Sequence, residues 1–344
     1  MISLNYLARL IEGQNLTMAE AESLLGAFFD GATDAQIASA LTALRMKGET
    51  AEELAGMAKR MRESAIRIRP RVSGTLVDTC GTGGDSMNTI NVSTAAAIVA
   101  AACGVPVAKH GNYAVSSRCG SANVLEALGV NISSPPERVE SIIESLGIGF
   151  MLAPLFHPAM KRVAHVRREM GIRTVFNVLG PLTNPAGAEA QVVGVYSPAL
   201  CEKIANVLKL LGTRRAMVVH GSGLDEISNT GTTIVSELCD GAVRSYAIDP
   251  RDLGYPLADL KEIAGGTPEE NAERLVRILK GEKSRARDLV AMNAGAAVYI
   301  SGMASTLREG CAIAEGAISS GSALEALKAL VEENGDPARL RRFL

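Results

Sequence analysis

Hydrophobic spacing divides the chain into regimes. From residue 1 to about 70, apolar side chains recur at helical intervals; after Thr33, Ile37, Leu41 and Leu44 fall on one face. Thr17 with Glu20, Thr33 with Gln36 and Thr50 with Glu53 each head such a run. At this spacing the hydroxyl accepts from the amide three residues on, and the longer side chain reaches back to the cap. Three such boxes in succession predict a helical bundle.

A Pro- and Gly-bearing link at Arg69–Gly74 ends that regime. Beyond it, short apolar runs at Thr75–Asp78, Val105–Lys109, Phe150–Ala153, Gln191–Tyr196 and Ala216–Gly221 predict buried strands. Helical patterns lie between them near Ser93–Ala102, Ser121–Leu128, Glu137–Leu146, Ala159–Met170 and Leu200–Leu211. Such alternation predicts an α/β domain with a mostly parallel central sheet flanked by helices. After Thr267 the pattern is mainly helical, ending in two long Ala-rich helices. The stretch RTVFNVLGPLTNP (Arg173–Pro185) is rich in turn formers and predicts a hinge or connecting loop.

Composition refines this picture. The 344 residues suffice for a large domain with a smaller companion. Hydrophobic residues make up 47% but aromatics only 3%, with no Trp, so Ala and aliphatic side chains must fill the core. The formal net charge of −2 provides no field for a polyanion and argues against nucleic acid as a partner. The apolar stretch Ala95–Cys103 is too short to cross a bilayer, and MISLNYLARLIEG lacks the layout of a secretory signal. Six scattered Cys, with no CxxC, read as reduced thiols. The expectation is a cytoplasmic protein without a membrane partner.

Candidate chemistry gathers in a few segments. DTCGTGGD (Asp78–Asp85) joins a predicted strand to a predicted helix. Gly81, Gly83 and Gly84 permit positive φ, so successive amides can face one anion ahead of a helix N-terminus. A plain tight turn is the alternative, and the segment matches neither a P-loop nor GxGxxG. TINVST follows, where Asn91, Ser93 and Thr94 offer an amide and hydroxyls for phosphate or for simple capping. KHGN (Lys109–Asn112) comes after a strand, at the sheet edge where open α/β sheets bind ligands. Its Lys suits a phosphate, or is merely solvated. SSRCGSA (Ser116–Ala122) opens another helix with hydroxyls and amides. GLDE (Gly223–Glu226) offers hard carboxylate oxygens for magnesium, unless Asp225 and Glu226 are ordinary loop charges. In HPAMKRVAHVRREMG, Met160, Ala164 and Arg167 share a helical face, and an Arg on that stripe needs an anion, internal or bound. Nothing suggests zinc or a covalent intermediate.

Together DTCGTGGD, NVST, KHGN, SSRCGSA, HPAMKRVAHVRREMGIRTVFNVLGPLTNP and GLDE resemble the anthranilate phosphoribosyltransferases of tryptophan biosynthesis, in order and spacing across almost the whole chain. The resemblance implies a homodimer of two-domain subunits. A small helical domain would comprise 1–70 with about 159–188, and a large α/β domain 71–158 and 189–344. Phosphoribosyl pyrophosphate would bind at Gly81, Gly84, Asp85, Thr89, Asn91, Val92, Ser93, Thr94, Lys109, Ser116, Ser117, Cys119 and Ser121. Two magnesium ions per subunit would sit at Ser93, Asp225 and Glu226. Anthranilate would lie near Gly81, His110, Asn112, His157 and Arg167, with Arg167 facing its carboxylate. The implied reaction displaces pyrophosphate from ribose C1 by the amine, through positioning and electrostatics, with Lys109 in support. Tyr113, Cys119 and Asn123 depart from the usual pattern. The rival readings are a pyrimidine-nucleoside phosphorylase, whose glycine loop differs, and a non-catalytic nucleic-acid-binding paralogue, which would not need the acidic pair.

Overall fold

The computed structural model describes residues 4–85, 87–114 and 118–344. Helices α1 (Leu4–Ile11), α2 (Met18–Phe29), α3 (Asp34–Lys47) and α4 (Ala51–Glu63) lead. All three expected capping boxes form, with Thr17, Thr33 and Thr50 as caps; each cap contributes about 1 kcal/mol. Glu53 does more than cap. Its buried carboxylate also accepts from Leu16 N at 2.9 Å and pairs with Lys47 at 2.8 Å, tying α4 to the α1–α2 connection.

The sheet begins with β1 (Val77–Gly81), followed by α5 (Val92–Ala102), β2 (Val107–Gly111), α6 (Ser121–Ala127), α7 (Pro136–Leu146) and β3 (Ile148–Leu152). Next come α8 (Ala153–Phe156), α9 (Lys161–Met170), α10 (Phe176–Leu179), β4 (Ala190–Gly194), α11 (Leu200–Leu210) and β5 (Arg215–Gly221). A hairpin of β6 (Thr233–Cys239) and β7 (Ala242–Ile248) precedes α12 (Pro268–Leu279), α13 (Arg285–Ser301), α14 (Leu307–Ser319), α15 (Ser322–Glu333) and α16 (Pro337–Leu340). Strand order is β3-β2-β1-β4-β5-β6-β7, parallel from β3 to β5 and antiparallel beyond.

Alternation along the strands explains the layers. Val192, Met217 and Val219 face a core built with α5 and α13, whereas Val193, Ala216 and Val218 face one built with α11 and the N-terminal helices. The almost wholly buried VSTAAAIVAAA of α5 packs against β1, α13 and α15, so small side chains stand in for the missing aromatics. On the other side, α9 packs on α2 and α3, and α10 on α4. Among the described residues, no helix is long and apolar enough to cross a membrane.

Four expectations need correction. β1 and β2 start two residues later than their apolar runs and extend to Gly81 and Gly111, because pairing with β4 and β3 sets strand ends, not hydrophobicity. The β6–β7 hairpin was not expected; β7 is an exposed edge strand and lacks an apolar run. Arg173–Pro185 is a buried connector containing α10 and a 3-10 turn at Gly180–Leu182, tied by Asn184 Nδ2 to Ala108 O at 2.9 Å and by Gln191 Nε2 to Pro181 O at 2.8 Å. In α9 the buried face is Val163 and Val166; Ala164 is exposed, since the helix meets its neighbours through the β-branched side chains.

Candidate active site

β1, β4 and β5 end side by side, with Gly81 paired to Gly194 and Gly194 to Val219. The loop after β5 folds back over these ends. A Cβ on Gly81 would stand 2.4 Å from Asp225 Oδ2, and one on Gly194 would stand 1.5 Å from Asp225 O. Asp225 can take its position only because both strand ends lack side chains. Gly81 is therefore needed for close approach rather than for positive φ, which only Gly83 (65°) and Gly84 (80°) of the loop adopt. This corrects the expectation for Gly81.

The acidic pair meets the glycine loop and the α5 terminus. Gly83 N donates to Asp225 Oδ2 at 2.7 Å, and Ser93 N donates to Glu226 Oε1 at 3.2 Å. Burial first, then the charge of Asp85, pushes the Asp225 carboxyl up to about 7. Burial and the neighbouring Asp225 push Glu226 well above the usual carboxylate range. Three acids held this close carry more negative charge than the single cation of Lys109 offsets, and a divalent ion would balance the remainder. Among the described residues no three His, Cys, Asp or Glu side chains form a metal cage. Magnesium needs none, since it keeps waters and shares substrate oxygens with one or two carboxylates. The donor set at Ser93, Asp225 and Glu226 fits such an ion.

Lys109 lies beneath this group, nearly fully buried. Its Nζ donates to Thr79 O at 2.6 Å and to Ser93 Oγ at 3.3 Å, while Thr79 Oγ1 donates to Ser93 O at 3.0 Å. Burial lowers its pKa, opposed chiefly by the nearby Asp78 carboxyl. Lys109 thus acts as internal counter-charge to the acids rather than as a solvated cation.

Around it, the two hydroxyl-rich turns interlock. Asn91 makes no capping bond; its Nδ2 donates to Cys119 O at 3.1 Å, and its Oδ1 accepts from Asn271 Nδ2 at 2.9 Å. Ser121 Oγ accepts from Asn112 N and donates to Asn112 O, each at 3.2 Å. Asn123, an atypical position, holds the same turn by accepting from Ala114 N and Gly120 N, each at 3.0 Å. Thr89 bridges to Ala264, and the buried Thr94 Oγ1 has no partner among the described residues. Val92 is buried in the first turn of α5. Ser116 and Ser117 lie outside the described residues.

Two histidines form a separate wall. The rings of His110 and His157 are 5.1 Å apart, both buried. Burial, then the other histidine, drives His110 down to about 3, and burial drives His157 down to about 4. Both are neutral at pH 7, and His110 Nε2 and both ring nitrogens of His157 have no partner among the described residues. Arg167 stands on α9 with its guanidinium 5.0 Å from the Phe176 ring centroid. No described residue forms an ion pair with it, so the internal-salt-bridge alternative finds no support among them.

Several participants escaped the sequence reading. Asp78 gave a signal as an acid inside a buried strand; its Oδ1 accepts from His110 N at 3.2 Å. Gly194 gave one too, as a glycine inside a predicted buried strand. Asn271, within an amphipathic helix, gave none.

The profile described as "Glycosyl transferase family, a/b domain" matches residues 73–324, and "Glycosyl transferase family, helical bundle domain" matches 4–65. The anthranilate phosphoribosyltransferase of Methanococcoides burtonii is 54% identical over 327 residues, covering 95% of this chain and 93% of that protein. The crystal structure of the Thermus thermophilus enzyme of that name matches with TM-score 0.90 at 47% identity, covering 98% of this chain and 99% of that one. The Saccharomyces cerevisiae enzyme in complex with PRPP and Mg matches with TM-score 0.87 at 30% identity, covering 96% and 97%.

Proposed function

This chain belongs to the anthranilate phosphoribosyltransferase family of glycosyl transferases, and from that premise we propose that it transfers the phosphoribosyl group of phosphoribosyl pyrophosphate to the amine of anthranilate, giving N-(5-phosphoribosyl)anthranilate and pyrophosphate. The observation that carries the reading is the packing of Asp225 and Glu226 against Gly81, Gly83 and Ser93, which gathers acids and main-chain donors at one strand edge.

In this mechanism the amine lone pair attacks ribose C1 as the C1–O bond to pyrophosphate breaks, and the nitrogen then releases one proton to solvent or to the departing pyrophosphate. An aryl amine attacks without prior deprotonation, so catalysis rests on positioning and on stabilising the leaving charge. The loop amides, the α5 N-terminus at Asn91–Thr94 and the Ser121 turn orient the donor's phosphates. Lys109 keeps Ser93 and Glu226 in register from below. Ser93, Asp225 and Glu226 would hold two magnesium ions per subunit, which when bound neutralise diphosphate charge. Neutral His110 and His157 each offer an acceptor nitrogen to the amine N–H, and Asn112 adds a donor. Arg167 meets the ring carboxylate. We take the working form as a cytoplasmic homodimer, with 1–70 and 159–188 forming a helical unit beside the α/β unit.

Anthranilate fluorescence tests this directly. It should decay only when donor, magnesium and protein are all present. Calorimetry showing that the protein ignores the donor, with and without magnesium, would end the proposal.

A further inference from the structure

We propose that Arg173 is a positioning residue for the glycine loop at Thr82–Asp85; this rests on the reading of that loop as the diphosphate cradle. Arg173 follows the α9 cap at Gly171, outside the sheet, and its guanidinium lies 4.4 Å from the ring centroid of Tyr196, just beyond β4. From there Nη2 donates to the carbonyl of Gly84. Tyr196 is itself bound to the loop, since its N donates to Thr82 Oγ1 at 3.1 Å, while Thr82 N donates to Gly194 O at 2.9 Å.

The loop requires such an anchor. Gly83 and Gly84 both have positive φ, and glycine populates the two signs of φ about equally, so local sequence leaves the peptide direction open. Asp225 holds the Gly83 amide on one side. Arg173 holds the Gly84 carbonyl, and because a trans peptide is planar with C=O and N–H opposed, it also aims the Asp85 amide the opposite way. The stack on Tyr196 limits where the guanidinium can sit, so the aim is set by two contacts.

A second consequence follows from chain order. Arg167 stacks on Phe176 and Arg173 on Tyr196, so one short segment anchors both the proposed acceptor arginine and the donor loop. Arg173 acts on the donor side.

The test uses the full chain, titrated with phosphoribosyl pyrophosphate and magnesium in a calorimeter, alongside steady-state kinetics. Arg173→Ala should weaken donor binding about tenfold, with the KM for anthranilate within about twofold and Tm within about 2 °C of wild type. Arg173→Lys, which keeps a donor but loses the planar stack, should fall between. Tyr196→Leu should weaken donor binding about threefold, and the double variant should be no weaker than Arg173→Ala, because both changes act through one guanidinium. Wild-type donor affinity in Arg173→Ala and Arg173→Lys would overturn the assignment. So would equal losses for donor and acceptor with a large fall in Tm. Arg173→Ala weak beside an unaffected Tyr196→Leu would overturn it too, since the arginine would then act on the ligand directly. Wild-type protein that ignores the donor would instead remove the functional reading, and this assignment's premise with it.

Discussion

Asp225 Oδ2 lies 2.4 Å from the point where a Cβ on Gly81 would stand, and it accepts the Gly83 amide at 2.7 Å. Ala at position 81 must therefore push Asp225 away. Gly81→Ala and Gly194→Ala should each lower kcat/KM on the order of 100-fold while costing about 1–3 kcal/mol of stability. Kinetics set beside urea unfolding check this. Near-normal turnover in both variants would detach Asp225 from the chemistry.

The acidic pair should matter for turnover and metal but not for folding. Asp225→Asn and Glu226→Gln should reduce kcat on the order of 100-fold with an unchanged circular-dichroism spectrum. Asp225 also has a pH signature. Its folded pKa of about 7 exceeds the ordinary carboxylate value, so its contribution to stability is full below about pH 4 and lost as pH rises through 7. Magnesium held at Asp225, as proposed, would relieve that loss. The rise in Tm on adding magnesium should be larger at pH 8 than at pH 5.5, and should vanish in Asp225→Asn. An equal rise at both pH values would contradict the assignment.

Arg167 has a partly buried guanidinium whose charge burial disfavours, stacked on Phe176. Its replacement by Ala should raise the KM for anthranilate about 10- to 100-fold, with kcat within about threefold. Lys should restore little, because the stack needs a planar group. An unchanged KM would refute the carboxylate role.

The histidine pair sets a pH limit of opposite sign. Folded values of about 3 for His110 and about 4 for His157 lie below the unfolded value near 6.5. Their contribution is therefore full above about pH 6.5 and lost as pH falls toward those values. In this window the unfolded chain binds more protons, so stability rises with pH. Urea unfolding near pH 5 should show His157→Gln taking up about one proton fewer on unfolding than wild type. Identical slopes would mean that His157 is not buried as a neutral ring.

Much of this protein was legible in the chain alone. The Thr17, Thr33 and Thr50 caps were, because a capping box is complete within four residues. The parallel strands and covering helices were legible in kind because burial on both faces leaves apolar runs. Glycine-rich and acidic segments pointed to the proposed phosphate and cation site because such chemistry needs those residue types wherever they fold.

Tertiary structure decided the rest. The direction of the Gly83–Gly84 peptides depends on Asp225, 142 positions from Gly83, and on the carbonyl bond from Arg173, 89 positions from Gly84. Asn91 abandons its cap for Cys119 and for Asn271, 180 residues away. The neutrality of His110 and His157 depends on burial and, for His110, on the facing ring. Each outcome is a competition among partners that meet only when distant segments pack, and local spacing carries no record of which partner wins.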